Sequence, residues 1–199
     1  MIDLIASRKK GRASVLFGLT AILIALATDQ ITKLVALTVL SRGDSLSVLP
    51  FFDLRLSFNE GVSFGMLADV FAGRPLVLVA ITLAVVVLLA CLLVRSSTPW
   101  ETVAFGTIIG GAVGNIVDRL RIGSVVDFLD FHLWGYHWPA FNLADTAIAI
   151  GVMIFILVSI AGAHTPQAPT RRDGEREVDH ASPSQKIKTE ARRSARTDR

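Results

Sequence analysis

Only one cysteine, Cys91, occurs in the chain, and it sits inside an apolar run. No disulfide framework can form within one chain, and no thiolate metal site can either. Histidine is scarce too: His132, His137, His164 and His180 show no metal-ligand spacing on a shared helix. No cofactor and no metal are therefore expected. A strong excess of charge is also missing. The formal net charge is +3, and the basic residues gather at the two ends. That distribution reads as membrane topology rather than nucleic-acid binding.

What fills the chain instead is apolar. Of 199 residues, 52% are hydrophobic, and the mean hydropathy is +0.55, more apolar than a soluble domain of this size. The apolar residues come in runs rather than alternating or amphipathic patterns, which argues for membrane spans. Four runs qualify: about Val15 to Leu40, Pro75 to Val94, Val103 to about Val117, and Leu143 to about Ala161. Each approaches the roughly 20 residues that cross a bilayer, the third only if it reaches Asp118 and Arg119. A rival reading takes Arg8 to Arg12, the following apolar stretch and Ala25-Leu26-Ala27 as a cleavable secretory signal. The apolar pattern resumes after Lys33 and continues to Leu40, which suits an anchored span better.

Orientation follows from short basic flanks. Arg8, Lys9, Lys10 and Arg12 precede the first span, Arg95 lies between the second and third, and Arg171 and Arg172 follow the fourth. The positive-inside rule puts all three flanks, and so both termini, in the cytoplasm. The connections at about 41–74 and 120–142 then face outward. The first carries Phe51-Phe52-Asp53-Leu54-Arg55-Leu56-Ser57-Phe58, whose alternation predicts a strand or short hairpin. The second carries Trp134, Tyr136 and Trp138, the composition of an aromatic belt at the lipid headgroups. Three segments result: a cytoplasmic N-terminus at 1–14, a membrane domain at 15–162, and a charged tail at 163–199 expected to be disordered.

The strongly polar residues within the spans share one depth. At about 1.5 Å per residue, Asp29 lies roughly 20 Å into the first span and Lys33 roughly 26 Å. Asn115 lies about 18 Å into the third, with Asp118 and Arg119 at about 24 Å. The fourth span runs the other way, with Asn142 and Asp145 in its first turn. Four segments converging on the outer third of the bilayer suggest one site. Asp29 and Lys33 share a helix face, as a structural ion pair or as a lysine reaching for the interface. Asp118 and Arg119 can end their helix at the interface, whereas Asn115 needs a partner in lipid. Gly106, Gly110 and Gly114 form overlapping GxxxG patterns that let helices pack closely; Gly111 beside them can also leave space near the site. Asn59, before Glu60 and Gly61, reads as a turn or as a residue that orients a peptide backbone.

Two aspartates carry the chemistry. Asp127 lies in the second outer connection and Asp145 opens the fourth span. Carboxylates at a membrane face are expensive without a use. Two that meet in a partly dehydrated site share a proton, one taking a proton from water while the other polarises a carbonyl. Asn142 can bond Asp145 or a substrate, and Arg119 can steady a loop through a carboxylate or a backbone carbonyl. A proton- or ion-coupled carrier is the alternative use of such groups, yet no charged or amide side chain occupies the inner half of any span. A purely structural membrane protein is the third class.

The surrounding segments resemble the lipoprotein signal peptidases (signal peptidase II), bacterial membrane aspartic peptidases. They are Asp29-Gln30-Ile31-Thr32-Lys33, Phe58 to Gly65, Gly111 to Leu120, Gly123 to Phe128, and Phe141-Asn142-Leu143-Ala144-Asp145, in the family's order. The resemblance implies an all-α membrane protein of four helices, with a β-rich cradle on the outer side and a loop acting as a lid over the site. It implies Asp127 and Asp145 as the catalytic pair, with Asn59, Asn115, Arg119, Asn142, Asp29, Lys33, Gly111 and Ala144 supporting site and substrate. It further implies a multi-pass inner-membrane protein, monomeric and in contact with lipid. The implied substrate is a diacylglyceryl-modified prolipoprotein cut before its lipidated cysteine, the implied inhibitor globomycin, and no metal is needed. Ser63 departs from the family's common alanine, and the charged tail exceeds the core fold.

Overall fold

A computed structural model describes residues 2–41, 45–61, 74–96 and 98–163, with side chains from residue 14 onward. The charged tail and the turn residues from Val62 to Gly65 lie outside the described residues. Four helices are long and apolar enough to cross a membrane: Ser14–Val39 within α1 (Ile2–Val39), α2 (Pro75–Arg95), α3 (Pro99–Ile122), and Leu143–Ala161 within α4 (Leu143–Ala163). All four fall on the expected apolar runs. Ala25, at the proposed signal cleavage site, is buried mid-helix in α1.

Helix α3 starts earlier and ends later than its apolar run, for local reasons. Thr98 Oγ1 accepts from the Glu101 N–H at 3.2 Å, while the Thr98 N–H donates to Glu101 Oε2 at 3.3 Å. This capping box satisfies two otherwise orphaned donors, and Pro99 follows at a position where its missing N–H costs nothing. Gly123 ends the helix at φ 81°, a left-handed cap open to glycine. At 24 residues the helix is about 36 Å long, enough to span with Asp118 and Arg119 included.

Helix α3 is the centre of the bundle. Of its most apolar stretch 61% is buried, against 17% in each other span. Small residues set that closeness. A Cβ on Gly106 would strike the Gly18 carbonyl, and one on Gly110 would lie 2.6 Å from the Ile22 carbonyl. A Cβ on Gly114 would strike the Asp29 carboxylate. On the flank toward α4, Gly111 lies against the Ala144 carbonyl and Gly151 against the Ala104 carbonyl. Leu93, Phe105 and Ile109, with Val15, Ile22, Val86 and Leu89 around them, fill the seam between α1, α2 and α3.

The four strands form one antiparallel sheet in the order β1 (Ser45–Leu49), β2 (Phe52–Asn59), β3 (Val125–Leu133), β4 (Tyr136–His137). The first connection is the expected hairpin. The second, expected as a loop or lid, instead gives the strand that completes the sheet. Its residues Val125, Val126, Asp127 and Phe128 are all buried, so both faces are covered and no alternation marks the strand. Trp134 and Gly135 turn β3 into β4 with φ values of 51° and 84°, the positive pair a two-residue hairpin of type I′ needs. Trp134, Tyr136 and Trp138 are all exposed. Ala36, Leu40 and Phe128, with Leu54, Leu56, Leu129 and Leu143 against them, lock the sheet to the ends of α1 and α4.

Candidate active site

Lys33 is the hub on α1. It is 2% exposed and Asp29 is 0% exposed, so the lysine is a buried partner and does not reach for the interface. Its Nζ lies 2.9 Å from Asp29 Oδ2 and 2.7 Å from Asp118 Oδ2, and donates to Asn115 Oδ1 at 3.0 Å. Two carboxylates and an amide oxygen compensate one ammonium, the condition under which buried charge is tolerated. Asp29 Oδ1 also accepts the Ala144 N–H at 2.9 Å, one of the free donors in the first turn of α4. Asp118 therefore does more than end α3: Val126 N–H donates to its Oδ2 at 3.2 Å, tying β3 to the same hub.

Asn142 precedes α4 and caps it. Its Oδ1 accepts the Asp145 N–H at 3.0 Å, and the Asn142 N–H donates to Asp145 Oδ2 at 3.3 Å. The reciprocal pattern is that of a capping box, with Asp145 as its acid. An N–H can only donate, so the atom facing it is the amide oxygen. The Asn142 NH2 is thereby turned toward Asp127 Oδ1, at 2.7 Å, and the Val126 carbonyl, at 3.2 Å. A single buried asparagine therefore touches both aspartates. Asn115 contributes a further donor, its Nδ2 lying 3.0 Å from Asp145 Oδ1.

Asp127 reaches this point from β3, opposite Ser57 across a bulge in β2. It is 2% exposed. Burial, joined by the negative charge of Asp145, pushes its carboxyl up to about 7, with hydrogen bonds from Asn59 and Asn142 and the charge of Lys33 opposing the rise. A carboxyl held this high can keep a proton near neutral pH. Arg119 frames the other side, its guanidinium donating to the Gly61 carbonyl at 3.0 Å and the Asn115 carbonyl at 3.4 Å. Asn59 Oδ1 accepts the Gly61 N–H at 3.0 Å, closing the turn.

Asp29, Lys33, Asn59, Gly111, Asn115, Arg119, Asp127, Asn142, Ala144 and Asp145 thus lie in one connected cluster drawn from α1, β2, α3, β3 and α4. Gln30 belongs to it as well. Its Nε2 lies 3.1 Å from Asp29 Oδ2, 3.3 Å from Asp118 Oδ1 and 3.3 Å from the Gly114 carbonyl. Its position beside Asp29 within an apolar run was the available signal. A separate polar group on the sheet has no counterpart in the sequence reading. Asp130 is buried and pairs with His137 Nδ1 at 2.9 Å, and Asp53 lies 3.3 Å from His132 Nε2. Hydrogen bonds from Ser47 and Ser45 hold the Asp53 carboxyl below the usual range. Among the described residues, no group of three histidine, cysteine, aspartate or glutamate side chains is arranged to hold a metal.

Comparison with known proteins gives the cluster a context. A family model described as signal peptidase (SPase) II matches residues 21–161. The lipoprotein signal peptidase of Azoarcus sp. (strain BH72) is 41% identical over 176 residues, spanning 86% of this chain and 99% of that protein. The lipoprotein signal peptidase of Paraburkholderia phymatum is 43% identical over 129 residues, spanning 64% of this chain and 78% of that protein. A bacterial membrane enzyme solved by the in meso method at 2.3 Å resolution superposes with a TM-score of 0.65 at 28% identity, covering 79% of this chain and 93% of that one.

Proposed function

The chain belongs to the signal peptidase II family, and from that premise we propose an aspartic mechanism in which Asp127 and Asp145 hydrolyse a peptide bond of a prolipoprotein. Membership makes the protein a membrane peptidase; the roles of individual residues are our reading. One observation carries it: Asn142 joins two aspartates while burial holds Asp127 close to neutrality. Two carboxyls whose surroundings separate their protonation states divide acid and base roles between them.

In the resting site Asp127 holds the shared proton and Asp145 is the carboxylate. A water between them loses a proton to Asp145, and its oxygen attacks the scissile carbonyl carbon. Asp127 gives its proton to the carbonyl oxygen, forming a tetrahedral diol. Asp145 then returns its proton to the amide nitrogen, Asp127 recovers a proton from a diol hydroxyl, and the C–N bond breaks. Acid, amine and both starting protonation states result, so the cycle closes without a cofactor. Arg119 and Asn59, which shape the turn at Gly61, hold the peptide backbone beside the dyad.

The bilayer supplies part of the selectivity. A diacylglyceryl-cysteine is held by its acyl chains at one depth, and the dyad stands at the outer end of α4. Basic flanks put both termini in the cytoplasm, so the dyad works at the outer face of the inner membrane. Cleavage falls immediately before the lipidated cysteine. The test is cleavage of a diacylglyceryl-modified prolipoprotein by purified protein in lipid with EDTA present, the products read by mass spectrometry. The reading requires one cut, with the modified cysteine as the new N-terminus. Loss of cleavage in EDTA, or a cut elsewhere, would overturn it.

A further inference from the structure

The two asparagines beside the dyad differ in how their amides are oriented. Asn142 is set by its own helix cap. Asn115 has no cap to set it. Its Oδ1 faces Lys33 Nζ at 3.0 Å and Asn142 Nδ2 at 3.3 Å, and its Nδ2 faces Asp145 Oδ1 at 3.0 Å. An ammonium has three donors and no acceptor. Whichever amide atom meets Lys33 must be the oxygen, so the NH2 is left for Asp145. Turned over, Asn115 would point N–H groups at an ammonium and an oxygen at a carboxylate, two repulsive contacts in a buried site.

We infer that Lys33 is a positioning residue for the proposed reaction, acting through the Asn115 amide to keep a hydrogen-bond donor on Asp145. It touches neither aspartate of the dyad by hydrogen bond. The other charged groups around it are accounted for: Asp29 and Asp118 are its ion-pair partners, and Arg119 is directed at backbone carbonyls. A hub needed only for folding would be satisfied by Asp29 and Asp118 alone. The contact with Asn115 is the hydrogen-bonded route from Lys33 to the dyad, beside the direct pull of its charge on both aspartates, and this inference rests on the dyad reading above.

The test is a double-mutant cycle on kcat/KM against pH, using full-length protein in lipid and a diacylglyceryl-modified prolipoprotein. The variants are Lys33→Met, Asn115→Leu and the two combined, each carrying Asp118→Asn so that removal of the ammonium leaves the cluster at its wild-type net charge, with Asp29 keeping its bonds from Gln30 and the Ala144 N–H. If Lys33 acts through the amide, each single variant lowers kcat by about 10–100-fold and moves the acidic limb of the profile to higher pH. The combination is then no worse than the poorer single variant by more than about threefold. Losses that multiply, or an acidic limb unmoved in Lys33→Met, overturn the inference. Should the lysine variants not fold, Asn115→Asp decides. It leaves Lys33 an acceptor and removes the donor from Asp145, so kcat should fall at least about 10-fold with the melting temperature kept. A wild-type kcat there overturns the inference equally. Asp127→Asn run alongside separates the two claims, since wild-type cleavage by that variant sinks the dyad itself whatever the cycle shows.

Discussion

Replacing Asp127 by Asn should stabilise the protein at alkaline pH while abolishing cleavage. The carboxyl is buried, and its rise from 3.8 to about 7 corresponds to about 4 kcal/mol in favour of the neutral form. A carboxyl raised in the folded state holds its proton more tightly there than in the unfolded chain. Its stabilising contribution is complete below about pH 4 and is lost as pH rises through about 7. At about pH 8.5 the wild type therefore bears an ionised carboxylate that burial opposes, while an amide bears no charge at any pH. The variant should then be more stable by about 1–4 kcal/mol, the lower figure applying if neighbouring donors rearrange around the carboxylate. At roughly 2–4 °C per kcal/mol for a chain of this size, the gain is several degrees. The gap should narrow as pH falls and close only below about pH 4, where the carboxyl is protonated in the folded and the unfolded chain alike. Thermal melts in detergent across this range, followed by tryptophan fluorescence, measure it. A variant that melts below the wild type by the same margin at both ends would refute the reasoning, because Asp127 would then not be held neutral.

Other substitutions probe the supports. Gly114→Ala drives a methyl group onto the Asp29 carboxylate, whose partners Lys33 and the Ala144 N–H leave it little room, so a loss of about 2–3 kcal/mol in thermal stability is expected. Asn142→Ala removes a cap worth about 1 kcal/mol and a donor to Asp127. Its kcat should fall about 100-fold, out of proportion to the small change in melting temperature. Arg119→Lys exchanges a guanidinium that reaches two carbonyls for an ammonium that reaches one, and KM should rise several-fold with stability changed by less than about 1 kcal/mol.

Much of this architecture is visible in the residues because bilayer physics is simple. Pro75 to Val94 can hardly be anything but a span, and Asn115 in a glycine-rich apolar helix announces a partner. The i, i+4 spacing of Asp29 and Lys33 indicates their pairing, but not that Lys33 also holds Asp118 and Asn115, since those contacts depend on how closely α1 and α3 approach. The strand character of Val125–Leu133 is hidden for a different reason. Periodicity marks a strand only when its faces differ, and here the first four residues are buried on both faces. The start of α3 at Pro99 was encoded by Thr98 and Glu101, a capping-box signal lying outside the apolar run that defined the span. Asn142 and Asp145 form the same kind of signal at α4, where the cap acid is also the proposed catalytic base.

The central claim is that two aspartates perform the hydrolysis. Its most direct test is the cleavage rate of a diacylglyceryl-modified prolipoprotein by wild type, Asp127→Asn and Asp145→Asn, each shown by its melt to be folded. The account predicts that both variants lose at least about 1,000-fold in kcat, because each removes one half of a single proton-transfer pair. Cleavage at the wild-type rate by either folded variant would contradict it.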